Sequence, residues 1–539
     1  MVPFHRASTC WGCLPLFLVV VACEAPDIEP EPRPSLVVAL VVDQLTPDFL
    51  ERYDDLWGGG FRRLLDGGHA FENAVHDHAV TFTSPGHASP TTGVVPARHG
   101  IVANSWQAWR EGEWSTVSSV GDPETELVGG SVSGSSPRNL LVGGLPDWIV
   151  DRHEEARVVS LSGKPTAGVL MAGATGGDGD DRAHAYWFSD ADRGFVTSTH
   201  YRAELPEWVS RFNEEVLAFA GDGCWESRLS PEAAALSRRD TVDYEADGVH
   251  THFPHCEADP PYRDVGHFIA QTPVLDAATL ALAGRAVTEL QLGGAEAPDY
   301  LTLALSATDR VGHTFGPYSR EQLDNLMRLD EELGRFLETL DREVGPERYV
   351  VALTSDHGVL PLPEYLEEQG EYGLRLTSEL DDAMERAARE VGGAAPPRPG
   401  GEGGFDPDGA ERRARMAQVL DEVEWIEASM PLELLEGGVS TDSFTALYQR
   451  SFHPDRLTSR VAEYGVEVRL REGTLVRASG TTHGVPYLHD RHVPLLFYGA
   501  GIAPGRSDGS ARTVDLAPTL AELLGVPVPA GLDGQALLP

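Results

Sequence analysis

Three apolar runs in this chain each end near an aspartate, and that repeated format restricts the fold more than any other feature. Residues 36–42 (LVVALVV) run into Asp43, and residues 300–306 (YLTLALS) are followed by Asp309. Residues 349–354 (YVVALT) lead into Ser355-Asp356-His357-Gly358. Each run is dominated by Val, Leu and Ala and too continuous for a half-exposed strand, which is the pattern of parallel strands covered on both faces. Between them, residues 276–292 and 320–344 repeat apolar positions at three- and four-residue spacing. In the second, Leu323, Leu326, Leu333, Phe336, Leu337 and Leu340 line one stripe. A further strand at 493–498 and a helix at 516–524 continue the alternation. The pattern predicts an α/β fold: a mostly parallel central sheet with helices on both faces.

In such a sheet, ligands bind outside the carboxyl ends of the strands, where Asp43, Asp309 and Asp356 all fall. His313 lies four residues after Asp309, and His357 adjoins Asp356. Cys10 and Cys13 fall in the N-terminal segment read below as a signal peptide, and no cysteine pair of the remaining chain has zinc-site spacing, so a metal here must use carboxylate and imidazole, a set that suits catalytic rather than structural Zn²⁺. Residues 81–93 (TFTSPGHASPTTG) supply a candidate nucleophile. Thr83 precedes Ser84-Pro85, and Pro reads as the first turn of a helix because it needs no amide hydrogen there. A hydroxyl at a helix start faces unpaired amide hydrogens and the positive end of the dipole, which favours an alkoxide and an incoming phosphate. The same position also suits a threonine that only caps the helix.

Composition narrows the partners. With 84 acidic and 42 basic residues the formal charge is −42, which argues against a surface that wraps a nucleic-acid backbone and reads as a solvated acidic surface. Among the 42 basic residues only Lys164 is lysine, a compact point charge in a chain that otherwise uses arginine. His5 and Arg6, the apolar stretch from Leu14 to Ala22, and Val20-Val21-Ala22-Cys23 read as a signal peptide over residues 1–22 with a bacterial lipobox. An ordinary signal peptide cleaved nearby is the alternative. Lipidated Cys23 is then the only membrane contact expected of an exported periplasmic or cell-surface lipoprotein, followed by a Glu- and Pro-rich tether over 23–34. Cys224 and Cys256 remain in the mature chain and can pair in an oxidising compartment. Residues 35–539 read as one catalytic domain with a smaller inserted unit at 361–475. That unit has helical patterns at 375–392 and 410–422 around a Gly/Pro-rich loop, 393–409. Residues 107–150 and 200–270 lack core periodicity and read as loops near the site.

Together these pieces resemble the alkaline phosphatase superfamily, and within it the branch of phosphate-irrepressible alkaline phosphatases and nucleotide pyrophosphatase/phosphodiesterases. The matching segments are Val42-Asp43-Gln44, Thr83-Ser84-Pro85-Gly86-His87, residues 99–106 (HGIVANSW), Asp309-Arg310-Val311-Gly312-His313, Ser355-Asp356-His357-Gly358 and Thr482-His483-Gly484, in family order. The resemblance implies two Zn²⁺ ions, one held by Asp309, His313 and His483, the other by Asp43, Asp356 and His357 with the Thr83 hydroxyl. It implies Thr83 as nucleophile and Asn104 and Lys164 as contacts to the substrate phosphate. Where phosphomonoesterases of this branch carry a Lys-x-Arg pair, this chain has Lys164 and Thr166, so one of two cations is missing. The function implied is an exported two-zinc phosphohydrolase that cleaves phosphate monoesters through a phosphothreonine intermediate. One alternative is a phosphodiesterase or nucleotide pyrophosphatase with the same metals. Another, from a different class, is a catalytically dead metal-binding lipoprotein. A sulfatase is disfavoured because the nucleophile segment has neither the Cys nor the Arg of that motif.

Overall fold

Among the described residues eleven strands form the main sheet: β1 (Leu36–Val42), β2 (His69–Val75), β3 (Gly121–Val128), β4 (Ser133–Ser135), β5 (Val158–Ser162), β6 (Ala183–Ser189), β7 (Gly194–Ser198), β8 (Asp299–Leu305), β9 (Tyr349–Thr354), β10 (Leu495–Gly499) and β11 (Gly505–Arg512). Their spatial order is β11-β2-β10-β9-β1-β8-β5-β6-β7-β3-β4. The computed structural model describes Met1 and residues 33–538, apart from 111, 131–132, 178–179, 246–249, 398–406 and 439. The signal segment, Cys23 and nearly all of the tether therefore lie outside the described residues. From Arg33 onward the chain forms one unit.

The centre of the sheet, β9-β1-β8-β5-β6, is parallel throughout. The flanks mix in antiparallel pairs, with β10 against β9 and β2 on one side and β7 against β6 and β3 on the other. The expected mostly parallel sheet thus describes the core, and the sheet as a whole is mixed. Every residue of β1, β8 and β9 is buried. Alternation along β1 explains the continuous apolar run: Leu36, Val38, Leu40 and Val42 enter one hydrophobic cluster, while Val37, Ala39 and Val41 enter the cluster on the other face.

Helices cover both faces. The ones that matter here are α1 (Thr83–Thr92), α2 (Pro165–Met171), α3 (Val265–Ala270), α4 (Val274–Glu289), α5 (Ala307–Phe315), α6 (Arg320–Glu343) and α7 (Leu516–Leu524). The α4 and α6 stripes join the first cluster, and α2 and α7 the second. Ser319 accepts from the Gln322 amide at 3.0 Å and so fixes where α6 begins.

Two regions expected as loops carry regular structure. Residues 107–150 contain β3, β4 and a helix at Leu145–Arg152. β3 (GDPETELV) reads as polar because it lies near the sheet edge and buries little. Within 200–270, the helix Glu207–Val216 buries Trp208, Val209, Phe212 and Val216. Cys224 and Cys256 are disulfide-bonded across a short antiparallel pair. In the inserted region, helices Glu379–Glu390 and Pro407–Leu420 and the strand pair Ile426–Pro431/Val466–Leu470 share a separate small core that includes Leu380, Met384, Leu420 and Val468. Part of the Gly/Pro-rich loop between those helices, residues 398–406, lies outside the described residues. No described helix is long and apolar enough to cross a membrane.

Candidate active site

Four adjacent strands, β9, β1, β8 and β5, deliver their carboxyl ends to one place. Asp43 follows β1 directly, Asp309 sits in the first turn of α5 after β8, and Asp356-His357 follow β9. Lys164 comes just after β5 as the residue that opens α2. Asp276, buried in α4, accepts from the Ser306 and Ala307 amides at 2.8 and 3.0 Å, and so sets the start of the helix that carries Asp309 and His313.

Among the described residues two clusters of three metal-competent side chains result: Asp309 with His313 and His483, and Asp43 with Asp356 and His357, each with its ligand atoms within 4.8 Å of one another. The six Asp and His residues among the seven expected metal ligands each lie in one of them; the seventh, Thr83, is described below. The imidazoles are oriented by their other nitrogen. His313 Nδ1 donates to Thr481 O at 2.7 Å, His483 Nδ1 to Thr81 O at 2.7 Å, and His357 Nδ1 to Gly358 O at 3.0 Å. In each case Nε2 is left to point at carboxylate: His313 to Asp309 at 3.0 Å, His357 to Asp356 at 3.1 Å, and His483 to Asp309 at 3.7 Å. This is the outer-shell arrangement that fixes a ligand tautomer. The His357 and His483 rings stack with centroids 3.3 Å apart, which joins the two clusters.

The electrostatics call for cations. Burial pushes the Asp43 carboxyl well above its ordinary value, and the Asp309 and Asp356 charges add to that. Burial would also raise Asp356, but His357 and His87 outweigh it and hold that carboxyl low. Burial alone would lower His357, yet Asp356 beside it lifts the imidazole to about 9. Asp43 Oδ1 and Asp356 Oδ2 are buried and accept no hydrogen bond. Three buried carboxylates face one ammonium, with all-N/O donors and free Nε2 atoms: the residues present fit two divalent metal ions.

Thr83 is the first residue of α1, whose ten residues are all buried; Phe82, not Thr83, occupies the cap position. Its hydroxyl is therefore not used up in capping and stands 3.5 Å from His357 Nε2. Gly86 makes this placement possible, because a Cβ there would lie 2.1 Å from Asp356 O. Asn104 Oδ1 accepts from the Ser84 amide at 2.8 Å, which leaves the Asn104 NH₂ free to donate at the exposed mouth of the site. Lys164 Nζ donates to both Asp43 and Asp309, so the lone lysine is in the site. Burial would weaken its basicity, but Asp309 and Asp43 more than compensate and raise it. Thr166 stands two residues away in the first turn of α2.

Gln44 belongs to the site although only its place in a motif marked it in the sequence. Its side-chain amide donates to Asp309 Oδ1 at 2.8 Å and its backbone N–H to Asp356 Oδ1 at 3.1 Å. It does so from a left-handed backbone conformation, φ 69°. Asp490 was also not singled out: fully buried, it accepts from the Gly484 and Val485 amides at 2.7 and 2.9 Å and fixes the loop that carries His483.

Comparison with known proteins agrees with this geometry. The sequence profile of the family described as type I phosphodiesterase / nucleotide pyrophosphatase matches residues 37–470. Alkaline phosphatase PafA of Elizabethkingia meningoseptica is 33% identical, with 94% of each chain covered. Alkaline phosphatase PhoV of Synechococcus elongatus is 30% identical over 94% of this chain and 92% of its own. The crystal structure of wild-type PafA superposes with a TM-score of 0.84 at 30% identity, covering 94% of this chain and 98% of that one.

Proposed function

Because the chain belongs to the type I phosphodiesterase / nucleotide pyrophosphatase family of the alkaline phosphatase superfamily, we propose that it is a two-zinc phosphate monoesterase with Thr83 as nucleophile. That it is a metal-dependent phosphoric ester hydrolase follows from the family and its alkaline phosphatase relatives. The observation that carries the finer reading is the placement of the Thr83 hydroxyl at a helix start beside His357, with Lys164 and both ligand clusters around it.

Asp309, His313 and His483 would hold one Zn²⁺, and Asp43, Asp356 and His357 the other. Bound there, the two ions supply Lewis-acid stabilisation of the attacking and leaving oxygens of an in-line displacement. Thr83 Oγ1 forms the bond to phosphorus as the ester oxygen departs, giving a phosphothreonine that water then hydrolyses to inorganic phosphate and free Thr83. The positive end of the α1 dipole favours the negative charge of the phosphoryl group. The Asn104 NH₂ donates to a non-bridging oxygen with its orientation fixed by Ser84. Lys164 is the cation for the additional charge that separates a monoester dianion from a diester. The substrate is a small phosphoester. Export with a lipid anchor at Cys23 rests on the Val20–Cys23 segment, and Cys23→Ser should release the protein from the membrane fraction.

The test is a kinetic comparison of an aryl phosphate with its methyl diester on zinc-loaded protein. Monoester preference is expected, and Lys164→Ala should cut monoester turnover by about 10- to 150-fold, the range of one charge-assisted contact. A diester preference in the wild-type protein would favour the phosphodiesterase reading, towards which Thr166 in place of an arginine points.

A further inference from the structure

A monoester dianion presents more charge than Lys164 alone offsets, and Thr166 brings a neutral hydroxyl where related phosphomonoesterases bring a cation. Among the described residues, Arg477 and Arg310 come near the ligand clusters. Arg477 Nη1 donates to Thr481 O at 2.8 Å and lies 3.1 Å from His313 Nδ1. It therefore backs the histidine on the side away from the Nε2 that faces Asp309, and its guanidinium is already in use.

Arg310 differs in every respect. It follows Asp309 directly in α5. At 100° per residue, Asp309, His313 and Arg310 fall at 0°, about 40° and about 100° around that helix, so Arg310 flanks His313 on the half that carries the ligands. Its Nε is buried and has no hydrogen-bond partner. Among the described residues its guanidinium makes no ion pair, although the chain has twice as many acidic as basic residues. A buried N–H with no acceptor, on a cation that directly follows Asp309 and flanks His313, is available to a ligand in the site.

We propose that Arg310 is the second phosphate-binding cation of this enzyme, supplied from α5 where relatives supply it from the Lys-x-Arg position that Thr166 occupies here. The guanidinium donates to a non-bridging oxygen of the phosphoryl group on the Lys164 side. Its ligands are phosphate monoester dianions and the product, inorganic phosphate. The inference rests on the monoesterase reading above and deepens it.

The test uses the zinc-loaded full chain and four variants: Arg310→Ala, Arg310→Lys, Thr166→Arg, and Arg310→Ala combined with Thr166→Arg. Zinc content and thermal melting check that each variant is folded and loaded. Calorimetric titration with inorganic phosphate gives a readout independent of turnover. Arg310→Ala is expected to weaken phosphate binding at least tenfold and to lower the ratio of monoester to methyl-diester kcat/KM by at least tenfold. Arg310→Lys should recover part of both. In the combined variant the arginine at 166 should restore most of the loss, and it should gain far less when Arg310 is intact. Equal losses on both esters, unchanged phosphate affinity, or equal gains from Thr166→Arg in both backgrounds would overturn the proposal. If Arg310→Ala fails to load zinc, the Arg310→Lys variant carries the same comparison. A wild-type protein that turns over diesters and not monoesters sinks the function reading itself; a monoesterase indifferent to Arg310 sinks only this inference.

Discussion

Gln44 ties Asp309 to Asp356: its side-chain amide donates to the first at 2.8 Å and its backbone N–H to the second at 3.1 Å. One residue thereby sets the spacing of carboxylates that belong to different ligand clusters and arrive on different strands. The cost is a non-glycine residue at φ 69°, about 1 kcal/mol of backbone strain. Gly312 is part of the same arrangement, since a Cβ there would lie 1.8 Å from Gln44 Oε1.

Gln44→Ala should therefore lower kcat roughly 10- to 100-fold and loosen metal retention, the usual effect of losing a partner that orients a ligand. Gln44→Gly removes the same amide but relieves the backbone, so its melting temperature should be no lower than that of Gln44→Ala while activity stays low. Melting curves beside kcat and chelator competition decide it. Activity that follows stability across both variants would mean that Gln44 only supports the fold.

Replacing Thr83 separates chemistry from metal binding. Thr83→Ala should keep its zinc, because each cluster has three ligands without the hydroxyl, yet lose turnover by several orders of magnitude. Thr83→Ser should retain a measurable fraction. Acid quenching with radiolabelled substrate should trap phosphate on residue 83 in the wild type and on no residue in Thr83→Ala.

Metal loading should depend steeply on pH. Asp356 lifts His357 to about 9 in the metal-free protein against the opposing effect of burial. A bound metal needs the neutral imidazole, so below pH 9 each ion entering this cluster displaces a proton. Apparent zinc affinity there should rise by about tenfold per pH unit up to pH 9 and level off above it. Competition with a chelator between pH 6 and 10 measures the slope; a flat profile would contradict the assignment of His357 as a ligand.

Buried neutral histidines make the metal-free protein sensitive to acid. Burial holds His76, His99 and His184 down at about 3. His76 donates from Nε2 to Ser355 O at 3.0 Å and accepts from the Thr513 hydroxyl at Nδ1, also at 3.0 Å, so it has no room for a second proton. The unfolded chain takes up protons at these positions below about 6.5, and the folded chain does not until about 3. Their stability contribution is therefore complete above pH 6.5 and lost as pH falls below it, of the order of 2 kcal/mol per histidine by pH 5. The melting temperature of chelator-treated protein should fall by several degrees between pH 7.5 and 5. An unchanged melting temperature would show that these sites open to solvent before they titrate.

What could be read from the sequence was local. Runs such as LVVALVV are continuous because alternate residues of β1 feed cores on opposite faces, and that burial leaves its mark residue by residue. The same locality exposed the strand-end aspartates and the His313 spacing. The strand β3, next to the sheet edge, left no such mark, because a strand that buries little needs no apolar repeat. The helix Glu207–Val216 did carry a periodic stripe, short enough to pass for loop.

The sequence by itself determined the parallel core, the chemical type of the ligands and the isolation of Lys164. Each of these is a property of neighbouring residues or of composition. Only the tertiary structure decided which groups meet. His483 reaches Asp309 because Asp490 and Thr81 hold its loop there, and Lys164 meets Asp43 and Asp309 because β5 ends beside β8. Gln44 spans two clusters only because β1 lies between β8 and β9, and the packing around α5 leaves Arg310 Nε buried without a hydrogen-bond partner. Periodicity records burial along one segment, whereas a hydrogen bond between segments depends on strand order and loop path, which no local pattern encodes.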